Sequence, residues 1–129
     1  MKLLIKIVLS VFILFILISG SGIFFLTRGL KAGEALEINP VDLSVLNDGV
    51  YNGVYEGGRW TNEVEVMVKG HRIESVKIVK DVLFPKPEVT EELVGRVLEE
   101  QSPKIDAISG STVTCKAYLK SIENALKED

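Results

Sequence analysis

Cysteine and histidine are almost absent, with one residue of each among the 129 residues of the chain. A disulfide requires two cysteines, and structural zinc and iron–sulfur sites require several thiolate or imidazole ligands at fixed spacing. The sequence therefore excludes an intrachain disulfide framework and a multi-cysteine metal centre. The only histidine, His71, falls in a predicted turn with no other ligand at suitable spacing, and we expect it to be solvent-exposed.

Positive charge is scarce after the first 31 residues. Those residues contain four basic side chains and no acidic one, whereas the remainder contains 11 basic and 18 acidic side chains. This net charge of −7 disfavours nucleic-acid binding, which requires cationic side chains to neutralise phosphates. The G-x-S-x-G and S-x-x-K spacings of common hydrolases are also absent, so hydrolase chemistry has no support.

One long segment has no charge at all. Residues 7–26 are uncharged, and as a helix they would span about 30 Å, the thickness of the hydrocarbon core of a bilayer. A cleaved signal peptide is the alternative, because Lys2 and Lys6 precede the segment and small residues occupy positions 19–22. Strongly apolar residues follow at 23–26, whereas cleavage sites usually lead into polar sequence. We therefore predict an uncleaved membrane anchor over residues 1–28.

The orientation of this anchor depends on a few flanking charges. Lys2 and Lys6 precede the apolar segment and Arg28 and Lys31 follow it, so the terminal amine alone adds positive charge to one side. This predicts the N-terminus inside and the following domain on the extracytoplasmic side of the membrane. Residues 29–47 lack a sustained hydrophobic period and are predicted to be a linker, and residues 48–129 a single domain.

Alternating hydrophobicity predicts three strands in the first half of this domain. Glycines and tyrosines between residues 48 and 58 indicate a first strand and a Gly-rich turn. Asn62–Lys69 alternates valine with mostly polar residues, which is the two-residue period of a half-buried strand. A third strand is predicted over Arg72–Lys80, after a turn at Gly70 and His71, so the two strands form an antiparallel hairpin.

Two helices are predicted in the second half. Residues 81–88 contain two prolines and are predicted to be a loop. Thr90 is predicted to be the N-cap of a helix that ends near Gln101, and a second helix follows residues 109–111 and ends near Lys127, with Cys115 buried on its packed face. The fold class is therefore α+β: a small antiparallel sheet packed with two C-terminal helices, preceded by a single transmembrane helix.

Residues 106–114 are the segment in which chemistry is expected. Serine, glycine and threonine cluster immediately before the second helix. Unpaired backbone N–H groups and the helix dipole favour an anion at such a position, so the segment could bind a phosphate. Alternatively, Ser109, Ser111 and Thr112 only cap the helix and turn the chain. The residue pattern alone leaves both interpretations open.

The string D-x-x-S-G-S-T-x-T over residues 106–114 resembles the flavinylation motif of the small FMN-binding domain family. That family includes the flavin-carrying subunits of sodium-pumping quinone reductases and of ferredoxin-linked membrane oxidoreductases. The resemblance extends to D-G-x-Y-x-G at residues 48–53, to the Gly57-Gly58 turn and to E-S-V-K-I-V at residues 74–79. It covers roughly residues 48–127 and no part of the anchor.

The resemblance implies that FMN is joined through its phosphate to Thr112. A separate flavin transferase that uses FAD and a divalent metal would make this bond, so the domain itself need not be a catalyst. Asp106 and Gly110 would serve recognition by the transferase or the shape of the turn, and Ser109 would help to hold the loop and the phosphate. Ser111 replaces the usual alanine of the motif, which makes its hydroxyl a second candidate attachment site.

A Gly-rich aromatic loop would approach the flavin ring in the longer versions of the family. Its equivalent here is the segment that contains Gly58, Arg59 and Trp60. Trp60 would stack on the flavin or, alternatively, be a partly buried residue beside the strand, and Arg59 would offset negative charge on the reduced cofactor. Phe84 is a second possible wall of the flavin site, although a hydrophobic anchor for its loop is the interpretation we favour.

The function predicted from these features is that of a membrane-anchored FMN electron carrier rather than a stand-alone enzyme. It would pass electrons between the membrane and extracytoplasmic redox partners, which could be another flavoprotein, a haem protein or a quinone. The alternative is a non-covalent flavin-binding or regulatory and assembly module of a membrane complex. An FMN-dependent reductase with its own substrate has less support, because no general acid or base beyond Asp106 and His71 is evident.

Overall fold

The computed structural model describes residues 1–127, and within that range the fold is α+β, as predicted. The last two residues of the predicted domain, 128 and 129, lie outside the described residues. Two short 3-10 helices, Leu43–Val45 and Gly58–Trp60, supplement the regular elements. These elements are the helices α1 (Lys2–Thr27), α2 (Leu30–Glu34), α3 (Pro87–Glu100) and α4 (Thr112–Leu126) and the strands β1 (Gly49–Tyr55), β2 (Asn62–Lys69) and β3 (Arg72–Lys80).

The apolar N-terminal segment forms one continuous helix, α1. None of its side chains is buried in the protein. Among the described residues, this is the one helix that is long and apolar enough to cross a membrane, by length and composition. It ends at Thr27, whose hydroxyl donates a hydrogen bond to the carbonyl oxygen of Ile23 at 2.8 Å.

The three strands form an antiparallel sheet in the order β1-β2-β3. Val64, Val66 and Val68 on β2 are at most 1% exposed, because they face the helical layer, and this confirms the predicted alternation. The hairpin prediction is also confirmed: Lys69 pairs with Arg72, and the two residues between them have φ values of 59° and 61°. Two positive φ values are typical of the type I′ turn, whose twist matches that of the flanking strands.

The helix α3 begins at Pro87, and the prediction that Thr90 caps it was wrong. Lys86 is the N-cap residue, and Pro87 occupies the first helical turn. Proline is favoured there because its φ is already helical and its missing N–H would have had no partner. Thr90 therefore lies inside the helix, where its hydroxyl donates to the Lys86 carbonyl oxygen at 3.2 Å. The loop before α3 accordingly spans residues 81–86 rather than 81–88.

The helix α4 lies directly on the sheet. A β-carbon at position 53 of β1 would lie 2.0 Å from the Ser121 carbonyl oxygen, so only glycine permits this close approach. The Ser121 hydroxyl donates to Asn62 Oδ1 at 2.6 Å, and both side chains are fully buried. Asn62 Nδ2 in turn donates to the Trp60 carbonyl oxygen at 3.0 Å. Cys115, on the same helix, is fully buried as predicted, and burial raises the pKa of its thiol.

The predicted linker, residues 29–47, packs along α4. We call it the juxtamembrane segment. Gly33 and Leu46 are buried, and the Lys116 ammonium donates to the Glu34 carbonyl oxygen at 2.8 Å. The backbone N–H of Asn39 donates to the buried Glu123 carboxylate at 2.5 Å. The segment thus contributes to the core of the folded domain, and the boundary at residue 48 stays a prediction.

Replacing Gly53 by alanine is expected to destabilise the fold by about 1–3 kcal/mol, because the new methyl group would push the backbone of α4 away from β1. Urea unfolding of the detergent-solubilised protein, followed by circular dichroism, measures this loss. Gly95→Ala is the matched control, since a β-carbon there meets nothing within 4 Å, and alanine favours a helix over glycine by about 1 kcal/mol. Equal stabilities for the two variants would contradict the packing argument.

The Glu123 carboxylate predicts a specific dependence of stability on pH. Its burial alone would raise the pKa, but hydrogen bonds from Lys120 and from the Asn39 amide outweigh burial and hold the pKa below its usual value of 4.5. A lowered pKa in the folded state means that the ionised carboxylate stabilises the fold above about pH 4.5. This contribution is lost as the pH falls through the folded-state pKa.

Glu123→Gln should therefore lose stability at neutral pH, and its free energy of unfolding should fall less than that of the wild type on acidification below about pH 4.5. Urea unfolding at a series of pH values measures both effects. Glu74→Gln, at an exposed position on β3, controls for the loss of one negative charge. Parallel pH profiles for wild type and Glu123→Gln would show that the carboxylate does not stabilise the juxtamembrane segment.

Candidate functional site

The N-terminus of α4 presents free backbone donors. Gly110 has a φ of 84° and turns the chain, and Ser111 is the N-cap residue but its side chain makes no capping hydrogen bond. The first hydrogen bond of the helix runs from the Cys115 amide to the Ser111 carbonyl oxygen at 2.9 Å. The amides of the three preceding residues, 112–114, therefore have no partner inside the helix and favour an anion.

The two candidate hydroxyls at this terminus have different surroundings. Ser111 is only 8% exposed, and its hydroxyl oxygen lies 3.5 Å from the Lys86 ammonium, which donates to it. Thr112 is the first residue of α4 and is exposed. The hydroxyl of the buried Ser111 is thus engaged by a cation, and Thr112 is the exposed residue of the two.

The Gly58–Trp60 3-10 helix forms the facing side of the site. Gly58 has a φ of 60°, which favours glycine, and a β-carbon there would lie 2.2 Å from the Arg28 carbonyl oxygen. Trp60 is 3% exposed, and the Arg59 guanidinium lies 4.1 Å from the centroid of its ring. Arg59 also donates through Nε to the Leu26 carbonyl oxygen at 3.0 Å, so it joins the end of α1 to this turn.

The loop of residues 81–86 supplies a third side, and hydrogen bonds hold its first half at Asp81 and Leu83. The buried Tyr118 hydroxyl donates to the Asp81 carboxylate, and burial followed by this hydrogen bond raises the pKa of Tyr118. The Leu83 amide donates to the Arg59 carbonyl oxygen at 2.9 Å. Phe84 is 53% exposed, so it does not anchor the loop, and the buried residue of the loop is Val82.

These segments enclose an open cleft of about 590 Å³, within the size range of small-molecule sites. The cleft combines free helix amides, two cations, the exposed aromatic ring of Phe84 and the exposed residue Thr112, which together suit a ligand with a phosphate and a flat ring. Its lining residues are Leu30, Glu34, Arg59, Trp60, Phe84, Lys86, Gly110, Ser111, Thr112, Val113 and Thr114.

Residues 57–127 match the family model of the FMN-binding domain, which is more than half of the chain. The chain belongs to the FMN-binding domain family. This confirms the family that the sequence motifs indicate, and the match begins at the Gly-rich turn. A comparison with curated proteins found no match.

In this FMN-binding protein, the structure brings together four of the seven predicted site residues. Gly110, Ser111, Thr112 and Trp60 line the cleft, whereas Gly58 lies behind Arg59 against the end of α1. The remaining two lie outside the lining: Ser109 is an exposed turn residue, and Asp106 lines a separate cleft of about 760 Å³ beside Lys104 and Arg96.

Four further residues of the cleft were missed by the sequence analysis. Lys86 lies between two prolines in the loop. A lone cation in a segment where the chain must turn is the one local feature that could have indicated it as a site residue. Leu30 and Glu34 belong to the juxtamembrane segment. Val113 lies within residues 106–114, the segment in which chemistry is expected, but the sequence predicts no role for it. Leu30, Glu34 and Lys86 reach the cleft through contacts between distant parts of the chain, whereas Val113 directly follows Thr112.

Tyr118→Phe should loosen the loop of residues 81–86, because the Asp81 carboxylate loses its hydrogen-bond donor on α4. We expect faster amide hydrogen exchange at Val82 and Leu83 and a loss of about 0.5–1.5 kcal/mol in stability. Tyr51→Phe is the control. Tyr51 lies on β1, and its hydroxyl donates to the Asn47 carbonyl oxygen rather than to the loop of residues 81–86. Unchanged exchange at residues 82 and 83 would contradict the role of Tyr118.

Proposed function

We propose that this protein is a membrane-anchored electron carrier in which FMN is joined by a phosphoester to Thr112. The observation that carries the proposal is the position of Thr112, an exposed residue at the free amides of α4 in the same cleft as Lys86, Trp60 and Phe84. When bound there, FMN would supply one- and two-electron transfer, and the chain would bind and orient it.

The choice of Thr112 over Ser111 rests on accessibility. A flavin transferase must reach the acceptor hydroxyl, and Ser111 is 8% exposed with its oxygen beside the Lys86 ammonium. In the proposed transfer, the Thr112 oxygen attacks the phosphorus on the flavin side of FAD. The bond from this phosphorus to the oxygen that bridges the two phosphates of FAD breaks, and AMP leaves with that oxygen. The hydroxyl proton passes to a base of the transferase.

The cations and free amides of the cleft support retention of the phosphate there, and the Glu34 carboxylate is the one opposing charge among the described lining residues. The amides of residues 112–114 and the Lys86 ammonium would hold its oxygens. Phe84, which is 53% exposed, supplies aromatic surface for the ring. Trp60 is buried beneath the Arg59 guanidinium and supports this side of the cleft, and Arg59 supplies positive charge near the ring. Positive charge favours the reduced, more anionic cofactor and would raise its potential. Gly110 shapes the turn next to Ser109. Asp106 lies outside the cleft, and its proposed role is recognition by the transferase.

The helix α1 supports a membrane location for this carrier. Its last turn is fixed to the cleft, because Arg59 donates to the Leu26 carbonyl oxygen and Gly58 packs on the Arg28 carbonyl oxygen. We infer that α1 is an uncleaved anchor and that the cleft lies at the extracytoplasmic surface. Electrons would pass between a membrane component, either a protein or a quinone, and an extracytoplasmic redox protein.

The decisive experiment is intact-mass spectrometry with a visible spectrum of the full chain, produced in cells that also express a flavin transferase. We expect the wild type to gain the mass of one FMN less one water and to stay yellow after denaturation. Thr112→Val should abolish both signals, while Ser111→Ala and Thr114→Val should retain them. Thr114→Val is the matched control, because Thr114 also lines the cleft.

Other outcomes would change the proposal in defined ways. Loss of the flavin in Ser111→Ala alone would move the attachment by one residue. A wild type that binds FMN but releases it on denaturation would favour the non-covalent flavin-binding module. A colourless and unmodified wild type would contradict the carrier function and favour a regulatory or assembly role.

A further inference from the structure

The helix α2 lies between the apolar helix and the residues that match the family model. Leu30 and Glu34 are four residues apart, which places them on one face of this helix, and both line the cleft. Residues 112–114 of α4 line the same cleft. A segment outside the family match, residues 57–127, is therefore part of the cleft surface.

The position of α2 is fixed by close packing at Gly33. This glycine is buried, and a β-carbon at position 33 would lie 2.5 Å from Val113 Cγ1. Val113 itself lines the cleft, and its branched side chain has little rotamer freedom in a helix. Glycine is therefore required for α2 to lie this close to the N-terminal turn of α4.

Both ends of α2 are also tied to the rest of the protein. At its C-terminal end the Lys116 ammonium donates to the Glu34 carbonyl oxygen at 2.8 Å, where a cation complements the helix dipole. At its N-terminal end Gly29 has a φ of 88° and packs against Gly57. A β-carbon added at position 29 would lie only 2.8 Å from the Gly57 carbonyl oxygen. The helix is thus held against both sides of the cleft.

We propose that α2 forms a wall of the FMN site, with Leu30 and Glu34 in contact with the cofactor, so that the site is completed by the segment that leads to the membrane anchor. This inference rests on the proposed function. The family domain alone would leave one side of the cofactor open to solvent. The wall shields the cofactor from small solutes, and Gly33 is a positioning residue that acts through Val113.

The test uses the full chain loaded with FMN, in detergent, and compares the quenching of flavin fluorescence by iodide. Gly33→Ala should push α2 away from Val113 and raise the quenching constant about twofold, since a displaced wall opens a route to the ring. In the double variant Gly33→Ala/Val113→Ala, the quenching constant should return towards that of the single variant Val113→Ala, because the second substitution removes the clash. All substitutions are neutral, so the attraction of iodide to the site is unchanged.

Gly95→Ala is the matched control. It makes the same change in a helix, but a β-carbon at position 95 meets nothing within 4 Å, so quenching should equal that of the wild type. Wild-type quenching in Gly33→Ala would overturn the inference and leave the proposed function intact. Equal quenching in Gly33→Ala and the double variant, with Val113→Ala at the wild-type level, would also overturn it. A wild type without flavin would overturn both.

Discussion

The packing of α4 on the sheet is the contact on which the rest of the molecule depends. The missing side chain at Gly53 lets the helix approach β1 at Ser121, and the buried hydrogen bond between Ser121 and Asn62 fixes its rotation. The amide of Asn62 also donates to the Trp60 carbonyl oxygen. One buried asparagine thus connects the helix that carries Thr112 with the turn that forms the opposite side of the cleft.

The cleft is built from four segments that are far apart in the chain. The N-terminus of α4 contributes free amides and a hydroxyl, and the loop of residues 81–86 contributes Lys86 and Phe84. The Gly58–Trp60 turn contributes aromatic and cationic surface, and α2 contributes Leu30 and Glu34. Hydrogen bonds and close packing connect these segments to their neighbours, so the chain itself sets the shape of the cleft.

Local patterns predicted the elements whose stability is decided locally. The valine alternation of β2 and the Gly70-His71 turn identified the hairpin, because period and turn chemistry agree there. The start of α3 was misplaced because Thr90 and Pro87 are both favoured near helix starts, and only the backbone of Lys86 decides between them. Thr112 came from a contiguous motif, whereas Leu30 and Glu34 reach the cleft through tertiary packing that no local pattern encodes.

With α1 as the proposed membrane anchor, its joint with the Gly58–Trp60 turn would make the domain sensitive to the bilayer itself. Membrane helices tilt by about 20° on average and adjust this angle to the local thickness of the hydrocarbon. Because Arg59 donates to the Leu26 carbonyl oxygen and Gly58 packs on the Arg28 carbonyl oxygen, a tilt of α1 would be transmitted to the domain. Lipid composition would thereby set the angle at which the cleft faces its neighbours in the plane of the membrane.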